Sequence, residues 1–166
     1  MWNALLRVKC MAKATPATRA LEAARISFAL HEYDYDPDAA RIGLQAADAL
    51  GVSPERLLKT LMARAGAEFV CVLVPSDLEV NLKKLAAAAG AKSAAMCKPN
   101  EAERVTGYHV GGISPFGQKK RVRVFVERAA LAHDKVIVNG GRRGLQIELA
   151  PADLLRVLSA VASDLS

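Results

Sequence analysis

The segment from Val110 to Arg121 has the residue types in this sequence that are best suited to chemistry. It contains three glycines and a proline, which disfavour a regular helix or strand and predict a shaped loop. The main-chain amides of Gly111, Gly112 and Ile113 could donate to a carbonyl oxygen or a phosphate, and the next residue, Ser114, adds a hydroxyl. The residue chemistry also allows a simpler structure, a tight turn before a strand with solvated charges.

Lys59 is a second candidate, because it interrupts an otherwise apolar segment from Leu57 to Met62. A lysine in such a strand either extends its ammonium to water or points into a cleft, where a ligand can use its charge. Tyr33 ends another predicted strand beside a group of acidic residues. Its phenol either lines a pocket or belongs to a half-buried strand aromatic.

The histidines and cysteines show no spacing typical of a catalytic triad, a zinc site or a disulfide framework. We therefore expect no metal and no cofactor, and an ordinary core role for Cys71. The apolar segments are too short to cross a bilayer, and the N-terminal segment lacks the pattern of a signal peptide. These features predict a protein of the cytoplasm without a membrane partner.

The formal net charge of +6 and the pI near 9.4 are compatible with an anionic partner. Aromatic residues make up only 5% of the chain, so contact with a nucleic-acid backbone is favoured over base stacking. Five candidate contact residues lie next to the glycine-rich segments. They are Lys119, Lys120, Arg121, Arg142 and Arg143.

With 166 residues and 52% apolar content, the chain is predicted to form one domain. Periodicity and caps predict helices at 16–25, 42–50, 82–89 and 99–107, and a last helix from 151 that includes Val161. Strands are predicted at 27–33, 57–63, 69–74, 94–97, 121–126, 135–138 and 145–149, the last two joined as a hairpin. The interleaving without a regular βαβ rhythm favours an α+β domain with a mixed, largely antiparallel sheet. Residues 1–14 are predicted to be a flexible tail, and Met11 is a candidate start.

Three segments together resemble the YbaK/ProX family of free-standing aminoacyl-tRNA deacylases, relatives of the editing domain of bacterial prolyl-tRNA synthetases. They are LLKTLMA (57–63), TGYHVGGISPFGQKKR (106–121) and NGGRRGLQIEL (139–149). The resemblance is greatest to the YbaK branch, which clears cysteine from mischarged tRNA(Pro). It implies a curved mixed sheet flanked by helices over residues 15–166, and no cofactor. The implied partners are the acceptor end of tRNA(Pro) and prolyl-tRNA synthetase.

The resemblance also implies roles for individual residues, beginning with a catalytic role for Lys59 in the family's lysine-threonine pair. The implied substrate-binding residues are Tyr33, Ile42, Thr60, Gly111, Gly112, Ile113, Ser114, Asn139, Gly140 and Gln146. No serine, cysteine or histidine has an evident base partner that would make it a nucleophile. Two mechanisms stay open: attack by the substrate's own cysteinyl thiol, which the YbaK branch implies, and attack by a positioned water.

Three positions depart from the family pattern. Asn139 replaces a serine, Gln146 replaces an aspartate, and Ile42 stands where an aromatic residue is common. These exchanges leave open whether cysteine, alanine or another small amino acid is removed. The alternative to an enzyme is a non-catalytic module of the same fold that binds tRNA or prolyl-tRNA synthetase.

Overall fold

A computed structural model describes residues 14–166 of the chain. The predicted tail, apart from Ala14, and the candidate start at Met11 lie outside the described residues. The helices are α1 (Pro16–Ala23), α2 (Gln45–Leu50), α3 (Leu82–Ala89), α4 (Pro99–Thr106) and α5 (Pro151–Leu158). The strands are β1 (Ala29–Glu32), β2 (Leu58–Ala65), β3 (Glu68–Pro75), β4 (Ala94–Met96), β5 (Arg123–Glu127), β6 (Val136–Asn139), β7 (Leu145–Leu149) and β8 (Val161–Ser163).

The strands form two sheets. The smaller sheet has the order β1-β7-β6 with antiparallel pairs, and the larger has the order β4-β2-β3-β5-β8. In the larger sheet β2 is antiparallel to β3 and β4, whereas β5 is parallel to β3 and β8. A parallel bridge between Leu57 and Ile137 links the two sheets. This mixed architecture confirms the predicted α+β class.

The larger sheet is buried on both faces. One face packs against the smaller sheet through residues such as Leu58, Leu73 and Ile147, which form the first core. The other face packs against α3 and contains Val74 and Leu85 in a second core. Because β3 is covered on both sides, it is a continuous apolar run, as expected of a central strand. A smaller third core joins α2 to the bridge between the sheets.

Local chemistry explains most helix ends. Thr15 caps α1 through a reciprocal pair with Thr18, in which each side chain accepts from the other residue's amide. The Asn81 side-chain oxygen accepts from two amides in the first turn of α3. Gly51, Gly90 and Gly107 end α2, α3 and α4 with positive φ.

Two regions differ from the sequence-based expectation. The predicted helix at 42–50 begins with a single 3₁₀ turn, Ile42–Leu44, before α2. Val161, predicted to lie in the last helix, instead begins β8 and is 49% exposed. The helix ends because Ser159 adopts a left-handed conformation with φ of 49°, and the next residues pair with β5. In residues 14–166, no helix is both long and apolar enough to span a bilayer.

Candidate functional site

A cavity of about 520 Å³ opens beside the first half of β2. The cavity fills a gap between two neighbours along this edge of β2. β4 pairs with β2 only at residues 63–65, and the bridge to β6 is at Leu57. Between them, no strand of the described chain pairs with residues 59–61 on this side. The other walls of the cavity are supplied by loops from the smaller sheet, by α2 and by the start of α4.

The main chain of Thr60 points toward this open edge. Within an antiparallel strand, the N–H and C=O of one residue point to the same side, and the side alternates along the strand. The Met62 carbonyl accepts from the Cys97 amide, on the side away from β3. Thr60, two residues earlier, therefore directs its N–H and C=O toward the cavity.

Two residues that line this cavity each have a buried side-chain oxygen with no hydrogen-bond partner within residues 14–166. These oxygens are the Thr60 hydroxyl and the Gln146 side-chain carbonyl. Gln146 is only 3% exposed, so water cannot readily satisfy it. A buried polar atom left unsatisfied costs about 1 to 3 kcal/mol. Such atoms on a cavity wall are the pattern expected where a ligand completes the hydrogen bonds.

Lys59 also lines the cavity, but its side chain leaves β2 on the other face. It pairs across the sheet with Val74 of the second core, whereas Thr60 pairs with Leu73 of the first core. The ammonium lies 3.3 Å from the carboxylate of Glu79, whose side chain is 94% exposed. Exposed ion pairs contribute little free energy, so a ligand at the open edge could recruit this charge at small cost.

The glycine-rich loop brings two of its three predicted amide donors to the cavity. Gly111 and Ile113 line it, and in the part of the chain that is described their amides donate to no acceptor. The Gly112 amide is already used, since it donates to the carbonyl of His109 at 2.8 Å. Gly112 instead allows close packing, because a Cβ there would lie 2.9 Å from the Arg143 amide nitrogen.

Asn139 and Arg143 join the two glycine-rich segments. The Asn139 side-chain amide donates to the Gly111 carbonyl at 3.2 Å and its oxygen accepts from Gly141 at 2.7 Å. The Arg143 guanidinium donates twice to the Val110 carbonyl, at 2.9 and 3.1 Å. Both side chains therefore hold the loop that presents the free amides, and both line the cavity.

Besides Gly112, two predicted substrate-binding residues are not part of the cavity wall. Ser114 is fully buried, and its hydroxyl accepts from the Phe116 amide at 3.3 Å. Gly140 is bonded to Leu145 through its amide and to the Thr15 hydroxyl through its carbonyl. Neither is among the lining residues, whereas Tyr33, Ile42, Thr60, Asn139 and Gln146 are.

The residues of the cavity wall that sequence reasoning missed include Tyr35, Met96 and Cys97. The alternation of tyrosines at positions 33 and 35 was a usable signal, because such residues share one side of an extended segment. Burial is the main cause that raises the pKa of Tyr33, and the neighbouring Tyr35 adds to it. Burial also raises the pKa of the Cys97 thiol, which opposes a role as a thiolate nucleophile.

The five predicted phosphate contacts fall into two places. Arg143 stacks near Tyr35 at the cavity, and Arg142 pairs with Glu32 at 2.7 Å. Lys120 and Arg121 line a second cavity at the far end of β2, with Phe69. Lys119 lies beside the end of α4, where its amide donates to the Thr106 carbonyl.

Among residues 14–166 there is no group of three acidic, histidine or cysteine side chains positioned for a metal ion.

The comparisons with known proteins identify the family and agree with the fold. Residues 36–157 match the family described as "Aminoacyl-tRNA editing domain". The chain is 32% identical to the "Putative Cys-tRNA(Pro)/Cys-tRNA(Cys) deacylase EbsC" of Enterococcus faecalis, over 92% of this chain and 93% of that protein. It is 34% identical to the proline-tRNA ligase of Geobacillus thermodenitrificans, over 58% of this chain but only 16% of the ligase.

Solved structures show the same fold. A crystal structure entitled "putative trans-editing enzyme for prolyl tRNA synthetase" superposes with a TM-score of 0.77 at 23% identity, covering 92% of this chain and 98% of that one. A hypothetical protein of known crystal structure superposes with a TM-score of 0.80 at 28% identity, covering 91% and 99% of the two chains. From its family match and its full-length relative, the chain belongs to the aminoacyl-tRNA editing domain family.

Proposed function

We propose that this protein is a trans-editing deacylase that removes cysteine from mischarged tRNA(Pro), with the acyl group in the cavity beside β2. The observation that carries the proposal is that one cavity is lined by Thr60, Gln146, Gly111 and Ile113, whose side-chain oxygens or amides have no partner among residues 14–166. Editing at a second site is needed because a synthetase pocket discriminates between side chains of similar size by only about 1 to 3 kcal/mol. Such a role belongs to the cytoplasm, where tRNA is charged.

In this proposal the amides of Gly111 and Ile113 stabilise the oxyanion that forms at the ester carbonyl. The Lys59 ammonium leaves Glu79 and holds the terminal ribose or the developing charge. The walls near the acyl group are apolar and include Met62 and Ala102, which suits a small, soft side chain better than a charged one. The name of the Enterococcus faecalis relative and the similarity to proline-tRNA ligases support cysteine and tRNA(Pro) as the substrate pair.

In this proposal the nucleophile is the substrate's own cysteinyl thiol and not Cys97, because burial raises the pKa of the Cys97 thiol. The substrate's sulfur bonds to the ester carbonyl carbon, the carbon–oxygen ester bond breaks, and the thiol proton goes to the ribose oxygen. The product is a cyclic thioester and free tRNA. Confining the thiol near the carbonyl supplies the rate, since proximity alone can contribute several kcal/mol.

The test is to incubate the protein with Cys-tRNA(Pro), Ala-tRNA(Pro), Cys-tRNA(Cys) and S-methylcysteinyl-tRNA(Pro). We expect Cys-tRNA(Pro) to be cleaved fastest and the S-methyl substrate, which has no thiol hydrogen, to resist. Equal cleavage of the S-methyl substrate would indicate attack by water. Faster cleavage of Ala-tRNA(Pro) would reassign the amino acid, and tight binding without cleavage of any substrate would identify a non-catalytic module.

Direct contact with prolyl-tRNA synthetase is a further part of the proposal, because this chain shares its fold with a domain of such ligases. Cleavage of Cys-tRNA(Cys) at the same rate as Cys-tRNA(Pro), and a gain in selectivity when the synthetase is added, would support selection through docking. Full selectivity without the synthetase would instead indicate that this protein selects the tRNA itself.

A further inference from the structure

The charge of the cavity wall sets a constraint on the substrate that the proposed function does not by itself specify. The described lining residues include the cations Lys59 and Arg143 but neither aspartate nor glutamate. The other titratable lining groups are the phenols of Tyr33 and Tyr35 and the thiol of Cys97. An aminoacyl ester, however, has an α-amine that is an ammonium at low pH. This wall offers that ammonium no counter-ion.

Two carboxylates that neighbour residues of the cavity wall already have partners. Glu148 lies two residues from Gln146 on β7, where it bonds to Arg56 at 2.7 Å and lies 3.5 Å from His31. Glu79 pairs with Lys59 outside the cavity. Placing an unpaired ammonium beside two cations in a partly desolvated site would be costly.

The free polar atoms suit an uncharged amine instead. A neutral amine has two N–H donors and one lone pair, whereas an ammonium only donates. The Gln146 side chain bonds to the Tyr33 phenol, but its carbonyl oxygen has no partner in the described chain, and the Thr60 hydroxyl can donate as well as accept. Other polar side chains on the wall are engaged, since Asn139 bonds to Gly111 and Gly141, and the Ser76 hydroxyl bonds to the Leu57 carbonyl.

We propose that the cavity binds the aminoacyl ester with its α-amine uncharged, held between the Thr60 hydroxyl and the Gln146 carbonyl. This inference rests on the proposed deacylase function and adds a rule for which form of the substrate is bound. Gln146 acts as a specificity residue that accepts from the amine and adds no charge. Two consequences follow. Activity depends on the protonation state of the substrate, and an ester with a hydroxyl in place of the amine is accepted.

The test compares two esters on the same tRNA, cysteinyl and 2-hydroxy-3-sulfanylpropanoyl, which keeps the thiol but has a hydroxyl in place of the amine. For the cysteinyl ester, kcat/KM should fall roughly tenfold per pH unit below the pKa of its amine. For the hydroxy ester this part of the pH dependence should be missing, while a dependence that comes from the thiol remains in both profiles. Superimposable pH profiles for the two esters would overturn the proposal.

A variant gives a second, independent test. In Gln146→Glu a carboxylate can pair with the ammonium form, so the ratio of cysteinyl to hydroxy ester cleavage at pH 6 should rise about tenfold relative to wild type. An unchanged ratio in a variant with wild-type thermal unfolding would contradict the proposal. If Gln146→Glu does not fold, the wild-type comparison of the two esters decides alone. Failure of the proposed function has a different signature, because then neither ester is cleaved at any pH.

Discussion

The two ends of β2 differ in whether their polar side chains have hydrogen-bond partners. At the β4 end, Arg64 bonds to Glu101 at 2.8 Å and covers the ring of Phe69 at 4.3 Å. At the cavity end, the strand edge is open and the Thr60 hydroxyl has no partner in the described chain. In the proposed account, unfulfilled hydrogen bonds beside an open strand edge are therefore a better guide to the site than charge density.

The same contrast separates the two cavities. The cavity at the β4 end contains more cations, but Arg123 is engaged by Glu68 at 2.7 Å and by the Ala89 carbonyl at 2.9 Å. The cavity beside Thr60 combines one exposed, weakly held ion pair with free amides. We therefore propose catalysis in the cavity beside Thr60 and at most phosphate contact in the cavity at the β4 end.

The largest effect is expected for Lys59→Ala. Loss of a charge that holds the reacting ester should lower kcat/KM about 100-fold or more, or about 3 kcal/mol in the barrier. The matched control is Lys83→Ala, which removes an exposed lysine of α3 and should leave kcat/KM within about twofold. Single-turnover deacylation with both variants measures the difference. Wild-type activity in Lys59→Ala would remove this residue from the mechanism.

A pair of Thr→Val substitutions should separate catalysis from stability. Thr60→Val removes a hydroxyl without a partner, so kcat/KM should drop about 10- to 100-fold while the free energy of unfolding is unchanged or slightly higher. Thr106→Val removes a buried hydroxyl that donates to the Ala102 carbonyl at 2.7 Å and accepts from the Tyr108 amide. It should cost about 1 to 3 kcal/mol of stability and keep kcat/KM. Urea titration and kinetics on both variants check this. A reversed pattern would contradict our assignment of the open edge.

The ion pair between Arg56 and Glu148 beside the cavity should affect the free energy of unfolding and its pH dependence. The hydrogen bond from Arg56 is the main cause that lowers the pKa of Glu148 below its ordinary 4.5. A carboxyl with a lowered folded-state pKa contributes stability above its unfolded pKa, and the contribution is lost as pH falls through the folded value. Arg56→Met should therefore cost about 1 to 2 kcal/mol at pH 7, with the difference from wild type shrinking below pH 4. Denaturant unfolding at several pH values measures it, and a difference independent of pH would exclude this origin.

The smallest effect is expected for Lys120→Ala together with Arg121→Ala. If these side chains contact phosphates, the affinity for tRNA should weaken by a few-fold, and the slope of log K against log salt should decrease by about one per lost contact. The rate for bound substrate should not change, because both residues lie at the far end of β2. Filter binding across a salt series measures the slope. An unchanged slope would indicate that the tRNA takes another path.

The sequence was sufficient for the fold class, and most of the substrate-binding residues that the resemblance implied line the cavity. Asn81 and Gly90 mark the ends of α3, and the glycine-rich connection before Leu145 marks the hairpin of β6 and β7. β8 was missed because its apolar residues continue the helical spacing of α5. Only the parallel pairing of Val161 with Phe125, distant in sequence, makes that segment a strand.

The finer features of the site depend on geometry that the sequence does not contain. Lys59 and Thr60 are neighbours, but alternation puts their side chains on opposite faces, and both reach one cavity only because the edge of β2 is open. The amides of Gly111 and Gly112 look equivalent in the sequence, yet a turn to His109 uses one of them. The folded conformation of the loop decides which donors stay free.

The central claim is that the acyl group binds at the open edge of β2. The most direct measurement is a crystal structure with a non-hydrolysable analogue, cysteine joined by an amide bond to the 3′ position of the terminal adenosine. We predict that the cysteinyl part contacts Thr60 and Gln146, with its carbonyl oxygen within hydrogen-bond distance of the Gly111 or Ile113 amide. Density for the cysteinyl part in the cavity beside Lys120, with the Thr60 edge empty, would contradict the account.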